Sequence, residues 1–164
     1  MKKIFVMLML TTALVGCGST GTTTNQGTEQ VKETAAVETQ EEKQVTEDGT
    51  LGKYKIEFGS AEKVTSEYEE GDLLMVTYTF TNNSEEAVAA DISLMLKAFQ
   101  DGIEVDKVFD SSLTGDNASK SIKPGASLEC KQLFKLTSTS DLEVEATDLF
   151  SFDDSVVTKT YTIQ

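Results

Sequence analysis

The sequence predicts an all-β fold for residues 51–164, an immunoglobulin-like antiparallel β-sandwich of about seven to nine strands. Short segments in which apolar and polar residues alternate fill this region, and such alternation is typical of strands with one buried face. Clusters of Asn, Asp, Gly, Ser and Pro separate the segments, as expected for turns. Apolar residues do not recur at the helical period in this region.

The alternating segments follow one another along the chain, with apolar residues two positions apart. They cover residues 54–58, 74–80, 92–98, 103–109, 128–136, 142–146 and 157–163. Asp101 and Gly102 predict a tight hairpin turn between the third and fourth segments. Gln132 interrupts the apolar face of the fifth segment, which predicts a bulge or a register change near it. The long polar loop 110–119 favours a sandwich over a closed barrel, because such a loop can cross between sheets.

Three runs within these segments resemble a known family. They are residues 78–84 (Tyr-Thr-Phe-Thr-Asn-Asn-Ser), residues 99–102 (Phe-Gln-Asp-Gly) and residues 123–125 (Lys-Pro-Gly). They resemble domain of unknown function 5067, found in lipoproteins of low-GC Gram-positive bacteria. The resemblance covers about residues 51–164 and implies a fold like that of the immunoprotective extracellular protein superfamily. The family supplies no established catalytic residues.

Residues 1–16 have the form of a secretory signal peptide, with Lys2 and Lys3 before 12 mainly apolar residues. That run is too short to span a bilayer, which takes about 20 residues. Leu14, Val15, Gly16 and Cys17 resemble the lipobox of bacterial lipoproteins. The resemblance implies cleavage after Gly16, a diacylglycerol on the Cys17 sulfur, and a protein held at the outer face of the cell membrane. The alternative is an ordinary secretory signal in which Cys17 is incidental.

Residues 17–50 are predicted to be the lipidated cysteine and a disordered acidic tether. Ser, Thr, Gly, Gln and Glu dominate this segment, and aromatic residues are absent from it. Such a composition buries too little apolar surface to offset the entropy lost on ordering. The predicted organisation is therefore a signal peptide (1–16), a tether (17–50) and a sandwich domain (51–164).

Composition excludes several classes of function. The chain carries 28 acidic residues, 14 Lys and a net charge of −14, so nucleic acid is not an expected partner. It has no His, Arg or Trp, so a Ser/His/Asp or Cys/His catalytic arrangement cannot be built. We expect a non-enzyme without a cofactor beyond the diacylglycerol, in which Cys130, on an apolar strand face, is a buried free thiol.

Two groups of residues are candidates for binding. Asp148, Asp153 and Asp154 are candidate calcium ligands, as are Asp110 and Asp116, because Ca²⁺ takes oxygen donors; the alternative is that they are solubilising loop acids. Phe150 and Phe152 either form an exposed partner-binding loop or cap one end of the core, the commoner outcome for such residues.

The function predicted from these observations is a membrane-anchored extracellular lipoprotein that displays a non-catalytic binding or scaffold domain. Its expected partners are the membrane, through the lipid, and a protein of the cell envelope or the medium, engaged by a sandwich end or a strand edge. The alternative is a calcium-dependent module or a carboxylate-based cell-envelope hydrolase, which would need two acids facing each other about 5–9 Å apart.

Overall fold

The computed structural model describes residues 44–45, 49–152 and 154–164, and these residues form two five-stranded sheets. Sheet 1 has the order β1 (Gln44–Val45), β10 (Ser155–Tyr161), β9 (Leu142–Asp148), β5 (Leu94–Gln100) and β6 (Ile103–Glu104). Sheet 2 has the order β2 (Thr50–Leu51), β3 (Tyr54–Val64), β4 (Leu73–Asn82), β8 (Ser127–Lys135) and β7 (Lys107–Val108). Neighbouring strands are antiparallel, except that β1 pairs with β10 in parallel. The predicted β-sandwich is confirmed.

The main core lies between the two sheets. Its centre contains side chains that are at most 1% exposed, contributed by both sheets. Sheet 2 contributes Ile56, Phe80 and Phe134, and sheet 1 contributes Leu142 and Val144. These residues belong to the alternating segments of the sequence, so the period-two pattern did identify the buried face.

A second, smaller core covers part of the outer face of sheet 2. Leu73, Met75, Val108 and Leu133 are buried there, and Leu113 packs against them. Leu113 belongs to the short helix α2 (Ser111–Thr114), which lies in the predicted 110–119 loop and is followed by a 3₁₀ turn, Asn117–Ser119. Part of the predicted loop is therefore packed structure.

Three details of the sequence-based prediction are wrong. Ile92 lies in a short helix, α1 (Ala90–Ser93), and is exposed, so β5 begins at Leu94. Phe109 follows β7 and is 84% exposed. Gln132 causes no bulge, since β8 pairs with β4 in continuous register along its whole length.

The bulge lies in β3 instead, where the register against β4 shifts between Phe58 and Ala61. Two residues there oppose one on the partner strand, which frees main-chain groups from the ladder. The Lys159 ammonium donates to the carbonyl oxygens of Phe58 and Gly59 at 3.0 and 2.8 Å. A side chain of sheet 1 thus donates hydrogen bonds to main-chain carbonyl groups at the bulge in sheet 2.

Several predictions concern residues outside this description. Leu14, Val15, Gly16, Cys17 and the tether up to residue 43 lie outside the described residues, as does Asp153. The described sheets include Gln44–Val45 and Thr50, on the N-terminal side of the predicted domain start at residue 51. In the described part of the chain, no helix has the length and hydropathy of a membrane span.

Candidate binding cleft

A small cleft opens on one side of the sandwich, and we call it the side cleft. It is bounded by α1 and β5 of sheet 1, by β7 and β8 of sheet 2, and by residues 114–119. Its volume is about 160 Å³, below the 300–1,000 Å³ typical of sites for drug-sized ligands. A cleft of this size accommodates one side chain of a partner.

The side cleft forms where the edge of β8 is only partly covered. The side-chain amide of Asn117 donates to the main-chain carbonyl oxygen of Glu129 at 2.9 Å. The main-chain N–H of Lys135 donates to the carbonyl oxygen of Asp106, also at 2.9 Å. Main-chain groups of alternate strand residues point to the same edge, so those of Lys131 also point to it. Lys131 lines the cleft between these two covered positions.

The walls of the side cleft carry both signs of charge. Asp91 and Asp116 lie on one side, and Lys107 and Lys131 belong to β7 and β8. The Ser119 hydroxyl donates to the Asp91 carboxylate at 2.6 Å, which holds that carboxylate in place. The Lys120 ammonium lies 2.7 Å from Asp116; its hydrogen bond and its charge keep the pKa of Asp116 below the ordinary value.

The inner wall of the cleft is the Tyr78 side chain, which lies directly opposite Cys130 on the neighbouring strand. Burial, reinforced by the nearby Cys130 and the charge of Asp91, raises the pKa of Tyr78. Burial likewise raises the pKa of Cys130 to about 11. Both groups therefore remain protonated at neutral pH, which leaves Cys130 without nucleophilic thiolate character. The prediction that Cys130 is a buried free thiol is confirmed.

Of the predicted calcium ligands, Asp110, Asp116 and Asp148 are engaged in other contacts, and Asp154 is exposed. An oxygen of Asp148 accepts from the Phe150 amide N–H at 2.9 Å. Asp110 is buried and accepts from the hydroxyls of Ser66 and Ser112, each at 2.6 Å. Across the described residues, no three acidic, His or Cys side chains gather closely enough to hold a metal ion.

Phe150 and Phe152 lie in the turn that follows β9, at one end of the sandwich. Their side chains are 71% and 106% exposed, so the prediction that they cap the core is wrong. The neighbouring Leu149 is 45% exposed. This end of the domain therefore presents apolar surface to its surroundings. Whether it contacts a partner stays a prediction.

The comparison with protein families decides the relationship of this chain to others. The family described as Domain of unknown function (DUF5067) matches residues 28–148, which is more than half of the chain. The chain belongs to the DUF5067 family. The resemblance noted in the sequence is therefore confirmed.

Two of the runs that marked the DUF5067 resemblance contain buried polar clamps. Asn82 is fully buried; its amide donates to the carbonyl oxygens of Glu86 and Ile122 at 2.7 and 2.9 Å, and its carbonyl accepts from the Ser84 N–H at 2.9 Å. The main chain of Asn82 also accepts from the Gly125 N–H at 2.7 Å, which joins the first run to the third.

Gln100 acts in the same way at the end of β5, in sheet 1. It is 2% exposed; its amide donates to the carbonyl oxygens of Ser138 and Ser140, and its carbonyl accepts from the Thr137 N–H at 2.7 Å. These marks of the DUF5067 domain fasten loops to strands. They therefore stabilise the fold and assign no reaction.

Solved structures support the same fold for the DUF5067 domain. One, from Bacillus subtilis, is described provisionally as a lipoprotein; it is 14% identical with a TM-score of 0.55, and the match covers 69% of this chain and 37% of that one. This chain thus matches little more than a third of that protein's length. Another, from Staphylococcus aureus, is also described provisionally as a lipoprotein; it is 8% identical with a TM-score of 0.56, and the match covers 74% of this chain and 92% of that one. No curated protein matches the sequence.

The residues of the side cleft were missed as a site from the sequence. Tyr78 belongs to a regular alternation that indicated only a core position, and Asp91, Lys107 and Lys131 lie among other charged residues. They come together because chain segments distant in sequence meet at one edge of the sandwich. The polar 110–119 segment, which contributes part of the wall, was the one available signal.

Proposed function

We propose that this chain is a lipid-anchored protein of the outer face of the cell membrane, and that its sandwich domain binds a protein partner without catalysing a reaction. The proposed anchor is the diacylglycerol on Cys17, supported by the lipobox Leu14, Val15 and Gly16. The provisional description of the two solved structures as lipoproteins agrees with this proposal.

The observation that carries the binding proposal is the side cleft. It combines a space for one side chain, walls of both charges and the main-chain groups of Lys131 at a partly covered strand edge. An extended segment of a partner pairs with such an edge and inserts a side chain beside it. Phe109, next to the cleft and 84% exposed, provides apolar contact area at the rim.

Three features support a role without catalysis. The sequence contains no His or Arg. The buried groups nearest the cleft, Tyr78 and Cys130, have raised pKa values and so keep their protons at neutral pH. Glu143 and Glu145, which could form a hydrolytic pair, lie in β9, where Glu143 is exposed on the outer side of sheet 1.

The anchor is tested by replacing the lipidated residue. Cys17→Ala should move the protein from the membrane fraction to the medium, because the acyl chains supply stable attachment. Fractionation with and without detergent measures the distribution, and Cys130→Ala is the matched control that should stay with the membrane. Membrane association of Cys17→Ala that still requires detergent for release would contradict the anchor.

Binding at the cleft is tested by site-specific photo-crosslinking on the bacterial surface. A photo-reactive residue at position 109 should capture a discrete protein, and one at Ile103 should not. Both positions are exposed, at 84% and 71%, but Ile103 pairs with Gln100 at the end of β5 that is opposite Leu94 and Leu96, the β5 residues that line the cleft. Lys107→Ala should weaken the product formed at position 109. Equal labelling at both positions, or none, would contradict this proposal.

A further inference from the structure

The end of the sandwich opposite the β5–β6 hairpin carries a cluster of exposed apolar side chains, which we call the apolar end patch. It consists of Ile92, Leu149, Phe150 and Phe152, with exposures of 57%, 45%, 71% and 106%. The Leu149 N–H donates to the carbonyl oxygen of Ser93 at 2.9 Å, which holds the turn after β9 against α1. The patch is thus built from two segments joined by a hydrogen bond.

The first described strand, β1, begins at this same end. β1 runs parallel to β10, with Gln44 opposite Ser155 and Val45 opposite Val156. Ser155 begins β10 directly after the turn that carries Phe150 and Phe152. Because the two strands run in the same direction, Gln44 lies beside the apolar end patch and β1 leads away from it.

We propose that the apolar end patch contacts the lipid bilayer to which Cys17 is anchored. The domain then rests on the membrane by this end, and the side cleft opens on the side of the domain. This inference rests on the lipid anchor proposed above. Residues 17–43 span at most about 95 Å when fully extended. Tethering over such a distance makes docking an intramolecular event, so a weak contact is populated.

The chemistry of the patch matches the interface of a lipid bilayer. Transfer of a phenylalanine side chain from water to the boundary between lipid headgroups and acyl chains is favourable in free energy. Asp148 at the base of the turn is already bonded to the Phe150 N–H, and Lys53 lies beside Phe152 in the shallow cavity at this end.

Tryptophan fluorescence tests the contact directly, because the chain contains no Trp. The lipidated full chain carrying Phe152→Trp is reconstituted into phosphatidylcholine–phosphatidylglycerol vesicles with brominated acyl chains, which quench tryptophan on contact. Phe109→Trp, at a similarly exposed position beside the side cleft, is the matched control. We expect a blue shift and quenching at position 152 and neither at position 109. Adding Phe150→Ala should reduce the quenching at position 152.

The outcomes separate the docking inference from the anchor. If the protein floats with the vesicles and positions 152 and 109 are quenched equally, or neither is, docking is wrong and the anchor stands. If the lipidated protein does not float, the anchor fails and docking fails with it. A blue shift at position 152 that grows with protein concentration in the absence of vesicles would assign the patch to self-association and overturn the proposal.

Discussion

Tyr78 and Cys130 lie directly opposite each other on β4 and β8, and both side chains are buried inside the sandwich. The Cys130 thiol donates to the Leu128 carbonyl oxygen at 3.7 Å, within the same strand. Tyr78 forms the inner wall of the side cleft, and Cys130 lies next to it on the neighbouring strand. Because burial in the core raises the pKa of both groups, loss of core packing would lower these pKa values.

Cys130 should be almost unreactive toward thiol reagents in the folded protein. Its side chain is 1% exposed and burial raises its pKa to about 11, so both access and thiolate are lacking. In a Cys17→Ala background, Cys130 is the one remaining cysteine. Reaction with an aromatic disulfide should be slow in buffer and rapid in urea. Rapid reaction in buffer would contradict the buried position.

Stability should fall as the pH rises above about 9. The ordinary pKa of Cys130, 9.0, is raised to about 11 in the fold, so the folded state keeps a proton that the unfolded state loses. The stability this proton confers is present below pH 9 and is lost as the pH rises through 11. Urea midpoints measured at pH 8 and at pH 10.5 test this. Cys130→Ala should show a smaller drop between the two, and an equal drop would contradict the assignment.

Asn82→Ala should destabilise the domain by about 2–4 kcal/mol, since it leaves buried carbonyl and N–H groups without partners. Urea unfolding measures the loss. Asn83→Ala is the control, because Asn83 is exposed and its hydrogen bond to the Lys53 carbonyl oxygen uses the main-chain N–H. Equal effects of the two substitutions would show that the Asn82 clamp does not stabilise the fold.

Gly102→Ala should cost about 1–2 kcal/mol, because the residue has a left-handed conformation that a Cβ atom disfavours. Its φ is 77°, and nothing lies within 4 Å of the position that a Cβ atom would take, so the cost is conformational and not steric against neighbours. Thermal unfolding measures the loss. Gly102→Asn should lose less, since Asn tolerates this conformation better; equal losses would point to a cause other than φ.

Asp110 should contribute stability that disappears in acid. Hydrogen bonds from Ser112 and Ser66 hold the pKa of Asp110 below its ordinary value of 3.8. The contribution is present above pH 3.8 and is lost as the pH falls through the lowered pKa. Denaturation curves from pH 7 to pH 2 should therefore drop less for Asp110→Asn than for the native sequence. Asp106→Asn, at an exposed position in the loop between β6 and β7, is the control, and an equal change of the curve in both variants would contradict the assignment to Asp110.

The main features of the sandwich could be predicted because burial of one strand face leaves a period-two signal. Ile56, Phe80 and Val144 are fully or almost fully buried, as their alternation indicated. Asp101 and Gly102 formed the expected hairpin, with φ values of 53° and 77°. Both features depend on the residues of a single short segment, so each could be predicted from that segment alone.

The remaining features depend on segments that meet only in the fold. The bulge was expected at Gln132, but its amide donates to the Val108 carbonyl oxygen at 3.1 Å, so the polar side chain is satisfied at a strand edge. Leu73 and Met75 were missed as core because α2, a helix of four residues, covers them. The side cleft was missed for the same reason, since its walls come from five separate segments.

The pairing of β1 with β10 also determines when the domain can be completed. A chain that emerges N-terminus first, from a ribosome or a translocon, presents Gln44–Val45 long before Ser155–Tyr161. Sheet 1 therefore cannot close until the residues of β10 have emerged. Of the described strands, the first to emerge is therefore among the last to find its neighbour, so folding of sheet 1 waits for residues 155–161.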